Sequence, residues 1–218
     1  MKLHHVPFSR SFRVLWLLEE LGLECEIVPY SIRDGSLRDP AFLAISPAGR
    51  VPALETGKEV LCESGAILQH LCEMYPEAEL APVPGDVARA RYLELMGYAE
   101  TMASLIENLN MQHIFLRDPR QASPVVIKLI TSRLGAALAG LETRLGEREY
   151  LLDSGFSAAD VMLGFNLFAA PYYVKLDPFE ALVAYCDRLA ARPAYQSARA
   201  KDGKQDIYSR DFYPVPEA

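Results

Sequence analysis

Three short stretches of the 218-residue chain combine groups that can hold an anion with groups that shape a turn. The first is Phe8–Ser9–Arg10–Ser11–Phe12–Arg13, at the handover from the β-like run Lys2 to Val6 to a segment with apolar residues at Phe12, Val14, Leu15, Leu17, Leu18 and Leu21. That spacing is helical. A hydroxyl at a helix start sits beside unpaired backbone N–H groups and the positive end of the helix dipole, which stabilises an anion. Taken alone, this motif reads first as a simple helix cap by Ser9 or Ser11, and Arg10 adds positive charge beside either. The second stretch runs from Ser46 to Leu54 and ends its turn in Val51–Pro52 just before a strand. Proline at a strand's first position gives up an N–H at no cost to the sheet. In cis, this peptide would turn the N–H and C=O of Val51 outward, toward an extended peptide ligand, whereas in trans it is an ordinary loop. The third is Cys62–Glu63–Ser64–Gly65–Ala66–Ile67, again a strand end feeding a helix. Ser64 can cap that helix. With Glu63 it can also receive a ligand bearing an α-amino and an α-carboxylate group.

The elements that must position these stretches follow from periodicity. Gly22 ends the first helix, Cys25 to Tyr30 is the next strand, and Ala53–Leu54–Glu55 and Val60–Leu61–Cys62 flank Gly57 as a hairpin. Ser64 to Tyr75 is helical until Pro76 stops it. The order βαβ then ββα brings all three stretches to one edge of a small sheet. The run PEAELAPVPG, Pro76 to Gly85, reads as a boundary between an α/β domain at 1–78 and an all-α domain at 86–218. Helices are predicted from Asp86 to about Leu116, from Pro124 to Leu145, from Ser157 to Tyr173 and from Phe179 to Ala191, followed by a polar segment from Lys201 onward. The second of these carries the stripe Val126, Ile130, Leu134, Ala137, Leu138, Leu141 and Leu145, which needs a partner helix.

Composition narrows the partners. Half of the residues are hydrophobic and 23% are charged, so the chain folds around a packed core. The net charge of −7 divides as −4 over residues 1–78 and −3 over 79–218, which argues against nucleic acid or an anionic membrane as the main partner. Cys25, Cys62, Cys72 and Cys186 lie far apart, with no CxxC pair and no Cys/His cluster at metal-ligand spacing. No metal is expected. The N-terminus lacks a signal-peptide core, so a reducing, cytoplasmic setting is expected. The longest uncharged apolar stretch, Val161 to Val174, is shorter than the roughly 20 residues of a membrane span.

Together, SRSFRVLWLLEELGLECEIVPY, SPAGRVPALE and ESGAILQHL, in this order ahead of a helical domain, resemble the cytosolic glutathione transferases. The bacterial and fungal members whose first helix begins Ser-Arg-x-x-Arg are the most similar in pattern. The resemblance implies a thioredoxin-like domain that binds glutathione as co-substrate and an all-α domain that supplies an apolar pocket for a small hydrophobic electrophile. It also implies a homodimer. Phe156–Ser157–Ala158–Ala159–Asp160 resembles the family's buried capping motif, a structural element. By position, Val51 would pair through its backbone with the cysteinyl part of glutathione with Pro52 cis behind it. Glu63 and Ser64 would hold the γ-glutamyl end, Arg50 would reach the glycyl carboxylate, and Ser9, with Ser11 as rival, would donate to the thiolate beside Arg10.

The activity implied is transfer of glutathione. A thiol near pKa 8.5 is only about 3% ionised at pH 7, so lowering it by roughly two units makes most of it nucleophilic. The thiolate would attack an electrophilic carbon or, as a peroxidase side activity, a peroxide. Without a cysteine in the first motif, thiol–disulfide transfer through a protein mixed disulfide is disfavoured. A non-catalytic carrier or interaction module of the same fold and a glutathione-dependent isomerase are the alternatives. Candidates for the hydrophobic pocket are Tyr98, Met102, Phe115, Phe165 and Tyr172, residue types that at helical spacing also build plain core. His4, His5, His70 and His113 show no partner spacing and carry no assigned role.

Overall fold

Leu3 is fully buried at the centre of a four-stranded sheet in a computed structural model that describes residues 1–57 and 59–216. The strands are β1 (Lys2–His5), β2 (Glu26–Pro29), β3 (Ala53–Glu55) and β4 (Val60–Cys62), in the order β2-β1-β3-β4. Leu3 stands opposite Ile27 across the parallel β1–β2 pair and opposite Leu54 across the antiparallel β1–β3 pair. A parallel pair requires a crossover, and helix α1 (Ser11–Glu20) supplies it. The short helix α2 (Pro40–Ile45) precedes β3, the hairpin β3–β4 turns at Gly57, and α3 (Ser64–Met74) closes this thioredoxin-like part. Pleating sends successive side chains of β1 to opposite faces. His4 therefore meets Tyr30 and Glu55, whereas His5 points under α1.

Helix α1 is buried at every position from Ser11 to Leu18. An amphipathic helix on one sheet leaves a solvent face, so burial all round requires a second cover. That cover is α8 (Pro193–Asp202), which packs against α1. Tyr195 sets its ring edge-on to Trp16 at 4.9 Å, and Arg192 grips the Glu20 carboxylate with two bonds of 2.7 Å. Burial alone would raise the Glu19 carboxyl, but hydrogen bonds from Lys201 and Ser197 outweigh it and hold that group below its ordinary value.

The chain accordingly divides into two compact units, Met1–Ala81 with Ala190–Asp206, and Pro82–Leu189 with Ile207–Ala218. The sheet's unit thus takes in α8, a segment that the sequence division at 1–78 and 86–218 assigns to the helical part. Periodicity misses α8 because PAYQSARAKD is mostly polar and small; its anchoring lies in Tyr195 and in ion pairs to α1. The end of the predicted domain, Glu217 and Ala218, lies outside the described residues.

The second unit is helical. Helix α4 (Arg89–Asn110) packs against α5 (Pro124–Leu145) and α6 (Ala158–Ala169), and α7 (Glu180–Ala190) follows. The predicted helix to about Leu116 ends its α-helical part at Asn110 and widens into a π turn, Met111–Phe115. The α5 stripe buries Ile130, Leu134, Leu138, Leu141 and Leu145, while Val126 in its first turn is exposed. Before α6, Ser157 and Asp160 form the reciprocal capping box that the sequence motif predicts. Asp160 also accepts from Leu151 N–H at 3.0 Å and Tyr185 O–H at 2.6 Å. Asn166 donates from α6 to the Ala99 carbonyl of α4 at 2.7 Å, and Glu142 of α5 accepts the first N–H groups of α7.

Candidate active site

Ser46 organises the turn of the second motif. Its hydroxyl donates to the Arg50 carbonyl at 2.8 Å, and its own carbonyl accepts from Gly49 N–H at 2.8 Å. Gly49 has φ +62°, and a Cβ there would stand 2.8 Å from the Leu37 carbonyl oxygen, so no other residue fits. The turn ends at Val51–Pro52, whose peptide is cis. On the neighbouring strand end, Glu63 precedes α3 with φ +71° and ψ +112°, a conformation that costs a non-glycine residue of the order of 1–3 kcal/mol. Strain of this kind persists only where the surroundings hold it. Here it aims the strand end and the helix start at the same space.

That space is an open cleft, about 340 Å³ when the solvent at its mouth is included. Arg10 reaches it from the first motif, Ser46, Ala48, Arg50, Val51 and Pro52 from the second, and Cys62, Glu63 and Ser64 from the third. Glu63 and Arg50 are exposed and Ser64 is buried. The cleft is therefore lined by two guanidinium groups, one carboxylate and hydroxyls. Such a set suits a ligand that carries an ammonium and more than one carboxylate. Wholly buried Arg13 stands behind it, with Nη1 donating to Ser64 Oγ at 2.9 Å. Ser64 is thus not the cap of α3; the cap position is Glu63, and the Ser64 hydroxyl is engaged by α1. Ser46 and Cys62 are lining residues to which sequence reasoning gave no role, although both stand inside the quoted motifs.

Ser9 and Ser11 do not line the cleft. Ser11, the first residue of α1, is fully buried, and Ser9 is half-buried immediately before Arg10. Their hydroxyl oxygens are 2.8 Å apart, and Ser9 Oγ accepts from Ser11 N–H at 3.2 Å. The residue at the cap of α1 is Arg10, whose side chain does not cap it.

The predicted pocket residues fall in the helical unit. Met102 is fully buried and Phe165 is 7% exposed, so both are packed as core. Tyr98 donates to the Ala137 carbonyl at 2.7 Å, Tyr172 stacks on Tyr208 with centroids 3.7 Å apart, and Phe115 is exposed on the π turn. Among the described residues no group of three or more His, Cys, Asp or Glu side chains is placed to hold a metal ion.

A four-stranded mixed sheet with crossover helix and hairpin, a cis-proline turn at its edge and a helical region beyond is the architecture of the thioredoxin-like transferases. Comparison with known proteins specifies it. The family model described as "Glutathione S-transferase, N-terminal domain" matches residues 1–73. Glutathione S-transferase 3 of Schizosaccharomyces pombe is 32% identical over 213 residues, covering 91% of this chain and 86% of the relative. Maleylacetoacetate isomerase of Pseudomonas aeruginosa is 34% identical over 206 residues, covering 91% and 95%. The structure of a sphingomonad glutathione S-transferase complexed with glutathione superposes with TM-score 0.79 at 28% identity, covering 93% of this chain and 98% of that one. The chain belongs to the glutathione S-transferase family. Its activity is that of a glutathione transferase, with glutathione as co-substrate.

Proposed function

We propose that the cleft holds glutathione in an extended form and that Ser9 donates to its thiolate. One observation carries this reading: three separate sequence motifs supply Arg10, Val51–Pro52 and Glu63–Ser64 to one lining. Glu63 takes the ammonium of the γ-glutamyl end while the buried Ser64 hydroxyl takes its carboxylate. Val51 pairs through its backbone with the cysteinyl part, and Arg50 takes the glycyl carboxylate. Ser9 itself stands outside the lining, but it immediately precedes the lining residue Arg10 at the start of α1, where the helix dipole also favours an anion, and this position assigns it the thiol.

The second substrate is an apolar electrophile or peroxide received by the helical unit, whose half-buried Tyr98 and Tyr172 and exposed Phe115 are the accessible members of the candidate set. Two chains pair through the exposed apolar residues of α4 and α5, where Leu93, Val125 and Leu129 are 50%, 77% and 48% exposed. Such a face favours two-fold pairing. The setting is the cytoplasm, in keeping with its four free cysteines. The isomerase relative supports a second reading, in which glutathione adds to an unsaturated substrate and is then expelled.

The test is a melting series with glutathione, followed by assays with an aryl halide, a hydroperoxide and a cis-configured conjugated diketo acid. A ligand confined to the native state stabilises it by about 2.7 kcal/mol at a hundredfold excess over Kd. Conjugation without isomerisation supports the transferase reading. Isomerisation at unchanged glutathione concentration replaces it with the second, and no melting shift at millimolar glutathione defeats the glutathione assignment of the cleft.

A further inference from the structure

Inward from Ser9 the hydrogen bonds run in single file. Ser9 Oγ is 2.8 Å from Ser11 Oγ, Ser11 Oγ is 2.8 Å from His5 Nδ1, and His5 Nε2 is 3.1 Å from both the carbonyl oxygen and the carboxylate Oδ1 of Asp202. Ser11 is fully buried, and His5 and Asp202 are each 1% exposed. All four residues belong to the sheet's unit, Asp202 arriving there as the last residue of α8. A fold needs no imidazole and carboxylate in this place; an apolar pair would fill it at less desolvation cost.

The direction of each bond follows from the inventory of donors and acceptors. Both neighbours of His5 Nε2 are oxygens that only accept, so Nε2 carries a hydrogen in either protonation state of the ring. A neutral ring then offers a bare Nδ1. Ser11 has one hydroxyl hydrogen and gives it to Nδ1 at 2.8 Å rather than to the Val6 carbonyl at 3.2 Å. Its oxygen accepts from Val6 N–H and from Ser9 O–H. Ser9 Oγ in turn accepts from Ser11 N–H and keeps one further lone pair. Every hydroxyl hydrogen in the chain points inward, and its outer end is an acceptor.

We propose that this chain is the proton path for thiol activation, with His5 as the terminal acceptor and Asp202 as its positioning residue; the proposal rests on the reading that places Ser9 at the glutathione thiol. The thiol S–H bond breaks and its proton joins Ser9 Oγ. The hydrogen of Ser9 moves to Ser11 Oγ, and the hydrogen of Ser11 moves to His5 Nδ1. Each hydroxyl gains one hydrogen and gives one up. The proton rests on His5 as imidazolium, and sulfur keeps the electron pair. The transfer also reverses every bond, so Ser9 now directs its hydrogen at the thiolate.

The Asp202 carboxylate offsets the buried imidazolium and is itself fixed by Phe8 N–H at 3.2 Å and by Arg199. Among the described residues, Asp202 and, through it, Arg199 are the charged groups that face His5. His4 points to the opposite face of the sheet, toward Tyr30 and Glu55.

Nitrogen NMR of the histidine-labelled full chain tests the path without any substitution. With glutathione at neutral pH the His5 ring should change from the neutral Nε2–H form to the doubly protonated form. With S-methylglutathione, which has no thiol proton, it should stay neutral. A ring that stays neutral while bound glutathione shows the ultraviolet absorbance of a thiolate overturns the proton path and leaves the transferase reading intact. Failure of glutathione to bind at all overturns that reading and the path with it.

In His5→Gln and Asp202→Asn variants that fold and bind glutathione, the midpoint of thiolate absorbance against pH should rise by about one unit or more, a tenfold loss of thiolate near neutrality. An unchanged midpoint in His5→Gln overturns the path.

Discussion

Arg13 Nη1 donates a 2.9 Å hydrogen bond to Ser64 Oγ, so the first turn of α1 and the first residue of α3 are joined behind the cleft by two buried side chains. The two residues lie 51 positions apart, and their union fixes two of the three motifs relative to each other. A double-mutant cycle on Arg13→Gln and Ser64→Ala, read by urea denaturation, should return a coupling of about 1 kcal/mol. Additive losses would mean that the bond contributes nothing to the alignment.

The two serines should separate by the property each one changes. Ser9→Ala removes a half-buried hydroxyl and should lower kcat/KM by roughly 10- to 150-fold, the equivalent of one charge-assisted hydrogen bond, with an alkaline displacement of the pH–rate profile and little loss of glutathione binding. Ser11→Ala leaves Val6 N–H and the buried His5 Nδ1 without the Ser11 hydroxyl and should also cost about 1–3 kcal/mol of stability. Melting and pH–rate measurements on both variants check this pair, and equal melting temperatures would contradict it.

Asp160→Ala should damage the fold before it damages the cleft. The carboxylate is fully buried, and burial pushes its ionisation upward while Tyr185, Leu151 and Ser157 pull it back by donating to it. Truncation orphans those donors together, so the loss should exceed the roughly 1 kcal/mol of an ordinary cap and reach about 3 kcal/mol. The folded fraction should still bind glutathione. Unchanged stability with lost activity would remove the structural assignment.

Cysteine labelling distinguishes the cleft from the core. Burial, with Asp187 adding to it, pushes the Cys186 thiol up to about 12. At pH 8 only about one Cys186 in ten thousand is thiolate, so alkylation should be negligible until the chain unfolds. Cys62 lines the cleft, and saturating glutathione should slow its alkylation severalfold. Mass spectrometry of the labelled peptides gives both rates; protection of Cys25 instead of Cys62 would move glutathione elsewhere.

The α4–α5 face yields a mass measurement. Leu129→Glu should convert a dimer of about twice the 24.3 kDa chain into monomers in sedimentation at micromolar concentration, because a charge at the centre of an apolar contact is not paired there. A wild-type chain that already sediments at the single-chain mass would dispose of the pairing.

The sequence by itself determined the local elements and the places where they meet. Helical spacing from Phe12 to Leu21, the hairpin about Gly57 and the stop at Pro76 depend on neighbours a few residues apart, and the structure has them. Ser157 and Asp160 are legible for the same reason, since a capping box is complete within four residues. The three cleft motifs were also legible, as strand ends feeding helix starts or turns.

Only the tertiary structure decided what depends on partners distant in the chain. His5 has no useful spacing to any residue in sequence; alternation along β1 turns it under α1, and Asp202 meets it from 197 positions away. The same holds for α8, whose polar composition hides it from a periodicity search because its anchor is the already apolar α1. Ser64 was readable as a cap because a serine at a helix start usually is one. The buried guanidinium of Arg13 engages it instead, and no pattern of neighbours in sequence encodes a contact made between two helices.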